Sequence, residues 1–482
     1  MQANNVVQIP TAHNSSLAEI DRIFALQQNQ AIKLRTSTYK DRLALLNRFE
    51  TVFNNAKQKM YDAAFADYGK TEAEVDLTEI FAVTAELKHT KRHLKKWMKP
   101  QKVRPTLASL GTQAKIIKEP KGVCLVISPW NYPYNLSFGP MLTALAAGNT
   151  VMLKPSELTP NMSRVIREIV EESFSPEMVS VFEGDVDVAA HLTNLPFDHI
   201  FFTGSPAVGK IVMGAAAKHL TSVTLELGGK SPTIVDQSAD IKKAARNISW
   251  GKFANNGQTC IAPDYLFVHD AVKDEFISEF KHNLQKLYGD SEKIQENPDY
   301  CRIVNNRHFN RVNNILEDAI ENGATLINGG QKDAATNFIA PTVLSDVTPE
   351  SKILQEEIFG PLLPIMSYSD IKQVVDYIND KPKPLALYVY SKDNAVINKV
   401  LSETSSGDAC INHNMVQFLH LNLPFGGVNN SGIGKAHGDY GFKAFSHERS
   451  VLRDRFSTTH MFFPPYKNSV KKMIKQAIKY FT

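Results

Sequence analysis

The sequence predicts an α/β fold with a parallel, doubly wound sheet, and three observations carry that prediction. From Gly122 onward, short apolar runs alternate with segments of helix length, the pattern of strands joined by crossover helices. The residues that interrupt this pattern fall just past the apolar runs, where such sheets bind their ligands. The chain of 482 residues also exceeds the roughly 250–300 at which one core stops growing, so two or three domains are expected.

Residues 1–100 read as packing helices. Ser16 and Glu19 stand at capping-box spacing and open a helix through about Arg35. Leu43, Leu46, Phe49 and Phe53 recur at helical spacing, and a charged amphipathic stretch follows through Trp97. Residues 104–120 fit either a linker or an arm crossing to another subunit. Buried strands are predicted at 122–127, 150–153, 179–182 and 199–203, with helices at 133–147, 161–174, 187–194 and 206–219. A second α/β region begins near Glu226 and contains 231–235, 264–268, helices at 271–287 and around 309–321, and the segment 353–366.

The bulk composition excludes several classes. With 54 basic and 50 acidic residues, the net charge of +4 is too balanced to suggest a nucleic-acid partner. Four scattered cysteines, Cys124, Cys260, Cys301 and Cys410, form no C-x-x-C and meet no His cluster, which predicts no metal site and a reducing compartment. Met1–Pro10 lacks the basic-then-apolar order of a signal peptide. The run Val123–Ile127 is far short of the ~20 residues a membrane span needs. A soluble, cytoplasmic protein is the expectation.

Cys260 and Glu226 stand out as a nucleophile and a base. Most lone cysteines are buried and inert, a reading that suits Cys124, Cys301 and Cys410. The flanks of Cys260, Asn255-Asn256-Gly257-Gln258-Thr259, instead supply turn geometry and hydrogen-bond donors, as an accessible thiolate needs. Glu226 ends the strand-like Val223-Thr224-Leu225 and is followed by Gly228-Gly229, and a carboxylate at such a strand end can activate water. The Cys260 N–H and the Asn131 amide are candidate donors to an oxyanion formed there. Capping by Glu226 and an Asx-turn at Asn131 are the structural alternatives, and both stay open.

A nucleotide site is suggested more weakly. No G-x-G-x-x-G occurs, but Phe201–Gly209 reads as strand, turn and helix start, with Pro206 suited to the first helical turn and free N–H groups able to hold a phosphate. Lys154 and Glu157 follow a strand three residues apart and suit the two hydroxyls of a ribose. The carboxylate would repel a 2′-phosphate. An ordinary strand–helix turn and a surface Lys/Glu pair are the alternatives.

Together these segments resemble the aldehyde dehydrogenase superfamily. Pro129–Pro133, Lys154–Glu157, Phe202–Ser205, Glu226–Pro232, Gly257–Cys260, Glu357–Pro361 and Pro424–Gly427 occur in that family's order over roughly residues 15–450. Ile261–Tyr265, Ser446–Ser450 and Phe463–Tyr466 make the chain similar to the class 3 (fatty and aromatic aldehyde) members. The resemblance implies a Rossmann-type cofactor domain (1–103 and 121–225), an α/β catalytic domain (226–422), and bridging elements forming a small β oligomerisation arm (104–120 and 423–466). It implies a homodimer acting on an aldehyde with NAD, NADP remaining possible. Cys260 becomes the nucleophile, Asn131 and the Cys260 N–H hold the oxyanion, and Glu226 activates the water that hydrolyses the thioester. Lys154 and Glu157 contact the adenosine ribose, and Gly204, Ser205 and Gly209 lie near the pyrophosphate. Trp130 and Leu227 line the groove, while Glu357 and Phe359 position the nicotinamide ribose and ring. Asn429 and His413-Asn414 depart from the family pattern at loops near the substrate mouth. A CoA-acylating dehydrogenase is the rival reading, opposed by Glu226, and a noncatalytic structural protein keeping the fold is opposed by the intact Cys260, Glu226 and Asn131.

Residues 467–482 form a basic amphipathic tail. Val470, Met473, Ile474, Ala477, Ile478 and Phe481 fall on one helical face amid five lysines. Peripheral contact with an anionic membrane suits such a stripe; packing against the protein or a partner subunit is the favoured reading.

Overall fold

The computed structural model describes residues 14–106, 109–290 and 293–481. The signal-peptide reading of Met1–Pro10 and the side chain of Phe481 lie outside the described residues. Three sheets organise the rest. Strand β1 (Gln101–Val103) pairs with β2 (Thr112–Pro120), which makes up most of the segment 104–120 that fitted either a linker or an arm. They are followed by β3 (Val123–Ile127), β4 (Thr150–Lys154), β5 (Val179–Val181), β6 (His199–Gly204) and β7 (Ser222–Leu227). The chain then forms β8 (Pro232–Val235), β9 (Tyr265–His269), β10 (Thr325–Asn328), the hairpin β11 (Lys332–Asp333) and β12 (Phe338–Ile339), β13 (Thr342–Ser345), β14 (Leu362–Tyr368), β15 (Ala386–Tyr390) and β16 (Asp408–Ile411). Last come β17 (Gly432–Ile433) and β18 (Ser446–Asp454).

The first sheet has the order β17-β7-β6-β3-β4-β5, all parallel except β17. From β3 the chain winds outward through β4 and β5, then returns to the other side of β3 with β6 and β7. The strand order therefore reverses between β3 and β6, the switch point at which such sheets bind ligands. The second sheet, β10-β13-β14-β9-β8-β15-β16, is parallel except for β10. β1, β2 and β18 form a separate antiparallel sheet, β18 pairing along β2 from Ser446↔Pro120 to Asp454↔Thr112.

Burial on both faces explains the unbroken apolar runs. Val123, Leu125 and Ile127 of β3 join one core with Ile20, Ile23 and Phe24, whereas Cys124 and Val126 join another with Phe138 and Leu142. The helix Pro133–Ala147 follows its expected bounds, begun by Pro133 and ended by left-handed Gly148; proline suits a first turn and glycine an end.

Several expectations need correction. Ser16 makes no capping hydrogen bond although the helix Leu17–Leu34 begins after it. Glu19 is bound instead to Arg22 at 2.7 Å, and the capping box lies at Thr38 and Asp41 of the next helix. The segment 353–366 divides into a short helix, Lys352–Gln355, and most of β14. Cys410 is half-buried on the edge strand β16 rather than in the core. Glu226 does lie at the end of β7, one residue before its last, Leu227, and the chain leaves the first sheet at 228–231.

The tail forms the helix Asn468–Phe481 against the turn Thr459–Phe462. Val470, Met473, Ile474 and Ala477 are half-buried there, and Lys471, Lys472, Lys475 and Lys479 are exposed. Among the described residues, no helix is long and apolar enough to cross a membrane.

Candidate active site

Parallel registry brings the expected nucleotide residues to one edge. Ile127 pairs with both Lys154 and Phe202, so the segments following β3, β4 and β6 emerge side by side. The Lys154 ammonium is 5% exposed and bonds Glu157, 39% exposed, at 2.8 Å, which is not the geometry of a freely solvated pair. Ser205 caps the helix Pro206–Ala217, its hydroxyl oxygen accepting from the Val208 N–H at 3.4 Å. A methyl on Gly209 would stand 2.7 Å from Leu227 Cδ2, so glycine permits this helix to close on β7. Half-buried Trp130 meets the Phe359 ring edge-on at 5.3 Å and His308 at 4.9 Å.

The thiol is presented by a different kind of structure. After the helix Ile241–Phe253, Asn255, Asn256 and Gly257 take φ values of 51°, 57° and 72°, a left-handed run that asparagine and glycine tolerate best. The Asn255 N–H donates to Glu74 at 2.6 Å, its amide to the Asn131 carbonyl at 2.9 Å, and the Asn256 amide to the Cys301 carbonyl at 2.8 Å. The Gln258 amide donates to the carbonyls of Asn255 and Arg302 at 3.0 and 3.1 Å and accepts from the Val304 N–H at 3.0 Å. Cys260 emerges from this bracketed turn half-buried.

Asn131 lies against the same loop. Its amide donates to the Gln258 carbonyl at 2.9 Å, leaving one amide hydrogen over. The Tyr68 hydroxyl donates to the Asn131 carbonyl at 3.2 Å, and Tyr132 and Thr259 share a hydroxyl contact at 2.6 Å. Tyr68 and Glu74 belong to the region read as packing helices only. Nothing in helical periodicity distinguishes a residue that packs from one that also reaches a distant loop, so the sequence reading missed them.

Glu226 is 6% exposed and faces Thr203 and Gly432 across its neighbouring strands. Neither of its carboxylate oxygens has a hydrogen-bond partner among the described residues, so it caps nothing. Burial first, then the nearby Asp408, hold its carboxyl well above the usual range, with Lys435 opposing. Burial, then Glu357 and Glu226, push the Cys260 thiol up to about 12, while its own N–H and that of Ile261 oppose the shift. Glu357 is itself raised to about 7, by burial and then Asp264; a methyl on Gly228 would stand 2.2 Å from its carboxylate. Phe359 two residues on adopts φ 44°.

Cys260 borders two cavities. One also touches Glu226, Leu227 and Thr203; the other is apolar, walled by Leu136, Trp250, Ile261, Val416, Phe418 and Leu419. A thiol and an unpartnered buried carboxylate thus line one cavity, and the thiol also lines an apolar channel, with the Asn131 amide held to the loop that carries the thiol, an arrangement suited to acyl chemistry on a carbonyl. Asn414, expected near the substrate mouth, is a buried bracket, its amide donating to the Asn247 carbonyl and the Tyr390 hydroxyl at 3.0 Å.

The model of the aldehyde dehydrogenase family matches residues 3–451. The chain belongs to the aldehyde dehydrogenase family. It is 47% identical over 434 residues to the putative aldehyde dehydrogenase AldX of Bacillus subtilis, covering 90% of this chain and 97% of that one. It is 42% identical to the 4,4'-diaponeurosporen-aldehyde dehydrogenase of Staphylococcus aureus (93% and 95% covered), and 40% identical to aldehyde dehydrogenase family 3 member A2 of Rattus norvegicus (90% and 89%). The solved substrate-bound state of Staphylococcus aureus AldH superposes with a TM-score of 0.91 at 41% identity, covering 95% of this chain and 99% of that one. The class 3 resemblance and the aldehyde dehydrogenase fold both hold, and this aldehyde dehydrogenase carries out NAD(P)-dependent oxidation of an aldehyde.

Proposed function

We propose that the enzyme oxidises medium- or long-chain aliphatic or aromatic aldehydes to carboxylic acids through a thioester on Cys260. The observation that carries this reading is the position of Cys260 on the wall shared by a carboxylate-bearing cavity and an apolar channel. Leu77 and Leu419, both exposed at that channel, suit the entry of an apolar tail.

The Cys260 thiol gives its proton to solvent as its sulfur bonds the carbonyl carbon and the C=O π pair moves to oxygen, and the spare Asn131 amide hydrogen and the Cys260 N–H receive the oxyanion. When bound, NAD(P) supplies the hydride acceptor. The acyl group then remains on Cys260 as a thioester. Glu226 takes a proton from water, whose oxygen attacks the thioester carbon and releases Cys260 as thiolate. Burial and Asp408 favour a proton on Glu226, so the carboxyl can hold the proton it takes from water.

The donor set fits the cofactor. Lys154 and Glu157 would hold the adenosine ribose, and Gly204, Ser205 and Gly209 the pyrophosphate at a helix N-terminus. Trp130 and Leu227 would line the groove, with Glu357 and Phe359 at the nicotinamide ribose and ring. The charge of Glu157 favours NAD, since a 2′-phosphate would meet a carboxylate.

The first sheet with its helices is assigned as the cofactor domain and the second as the catalytic domain, with the boundary at 228–231 in place of 225/226. The exposed apolar residues Val208 and Ile211, three residues apart on the helix Pro206–Ala217, support a homodimer, because an exposed apolar helix face favours burial. We assign the tail to packing against the protein, which its half-buried apolar stripe supports; equal liposome binding by full-length enzyme and a form ending at Tyr466 is the expected result.

In rapid-mixing assays, Glu226→Gln is expected to give one burst of NADH and then slow turnover. Full steady-state activity would remove Glu226 from the hydrolytic step. Values of kcat/KM across aliphatic and aromatic aldehydes, with NAD and NADP in parallel, test the substrate and cofactor assignments; a preference for short polar aldehydes overturns the former.

A further inference from the structure

Three buried carboxylate oxygens at the inner end of the site have no hydrogen-bond partner among the described residues: both of Glu226, and Oδ2 of Asp408. They come from different sheets. Glu226 lies on β7, while Asp408 begins β16, the edge strand of the second sheet. A structural aspartate on an edge strand would normally satisfy both oxygens.

Gly426 is where the two meet. Its N–H donates to the Asp408 carboxylate, and its carbonyl accepts from Lys435 Nζ at 2.5 Å. A methyl on Gly426 would stand 3.1 Å from both Glu226 Oε1 and Lys435 Cδ. One backbone unit thus touches a carboxylate on each side and an ammonium between them. Lys435 directs its hydrogen bond to this carbonyl and leaves the carboxylate oxygens open to a proton.

The charged and titratable groups around the pair can be named. Glu226 faces Asp408 on β16, Lys435 after β17, and Cys260 on the nucleophile loop. Asp408 faces Lys435 and His437, and His437 contacts Glu86 of the helix Phe81–Trp97 at 3.3 Å. Burial and the charge of Asp408 both favour a proton on Glu226, and Lys435 opposes them.

We propose that Asp408 accepts the proton that Glu226 removes from water, with Lys435 balancing the charge between them. The inference rests on Glu226 being the hydrolytic base. One water O–H bond breaks as its oxygen bonds the thioester carbon, and the C–S electron pair leaves with Cys260. The proton passes to Glu226, then by way of a water past Gly426 to Asp408, which is half-buried, and on to solvent; nothing is oxidised or reduced. Asp408 touches no reacting atom and is a positioning residue for this proton.

The test is the rate at which preformed acyl-enzyme releases acid, followed by rapid quench against pH in full-length enzyme. Asp408→Asn removes a negative neighbour and eases ionisation of Glu226, so the acid limb moves down by about one pH unit, and Lys435→Met moves it up by a similar amount. Acid release in Asp408→Asn also slows roughly a hundredfold, the low end for loss of a proton-transfer group, while the NADH burst is unchanged. Wild-type limbs in both variants, with Glu226→Gln arrested after its burst, overturn the proposal and leave the base standing. Wild-type acid release in Glu226→Gln overturns both. If Asp408→Asn yields no folded enzyme, the limb of Lys435→Met decides.

Discussion

The strand ends of the first sheet and the Asn255–Cys260 loop both present functional groups, but they are held in opposite ways. At the strand ends, Lys154, Glu157 and Ser205 depend on near neighbours: a partner three residues away at 2.8 Å, and a cap on the helix that Ser205 itself begins. The loop is bracketed by Glu74, Asn131, Cys301, Arg302 and Val304, residues distant in sequence. A face that grips a cofactor reversibly can tolerate side-chain motion. A nucleophile cannot, because a displacement of about 1 Å can cost some 10²-fold in rate.

Substitutions should separate the two regions, and the largest effect belongs to the loop. Cys260→Ser should remove aldehyde-dependent NADH formation, a loss of at least about 10⁴-fold on the scale of nucleophile deletions, with cofactor affinity by fluorescence titration unchanged. Measurable turnover would place the nucleophile elsewhere.

Gly257→Ala should come next. Its methyl would stand 2.3 Å from the Gly360 carbonyl oxygen at φ 72°, and strain with a backbone clash costs on the order of 3 kcal/mol. Thermal denaturation should show the lower Tm, and Cys260 activity should fall with it. A wild-type Tm would mean that the loop is not held as described.

The smallest effect is expected at the strand ends. Glu157→Gln should raise KM for NAD by roughly tenfold, the loss of one charge-assisted hydrogen bond, and should improve NADP relative to NAD without changing stability. An unchanged NAD/NADP ratio would deny Glu157 its part in cofactor choice.

This contrast also explains what was legible from the residues. The strand–helix alternation and the helix Pro133–Ala147 were readable because burial on two faces and proline and glycine at helix ends are local signals. So were the flanks of Cys260, whose Asn-Asn-Gly run announces a turn. The place of Glu226 at the end of its strand was readable too, because the glycines after it mark where β7 stops at Leu227. Tyr68, Glu74, Asp408 and Lys435 were invisible, since each reaches the site through a contact made only when distant segments pack.

By itself the sequence determined the kind of fold, the family resemblance, and the chemistry available at Cys260, Glu226 and Asn131, because residue type and short-range spacing suffice for those. Tertiary structure alone decided the electrostatics. The thiol held at about 12, the carboxylate without partners, and the second carboxylate across Gly426 all follow from burial and from charges brought together from separate sheets. A charge's free energy depends on what surrounds it in space, and neighbours in the chain do not specify that.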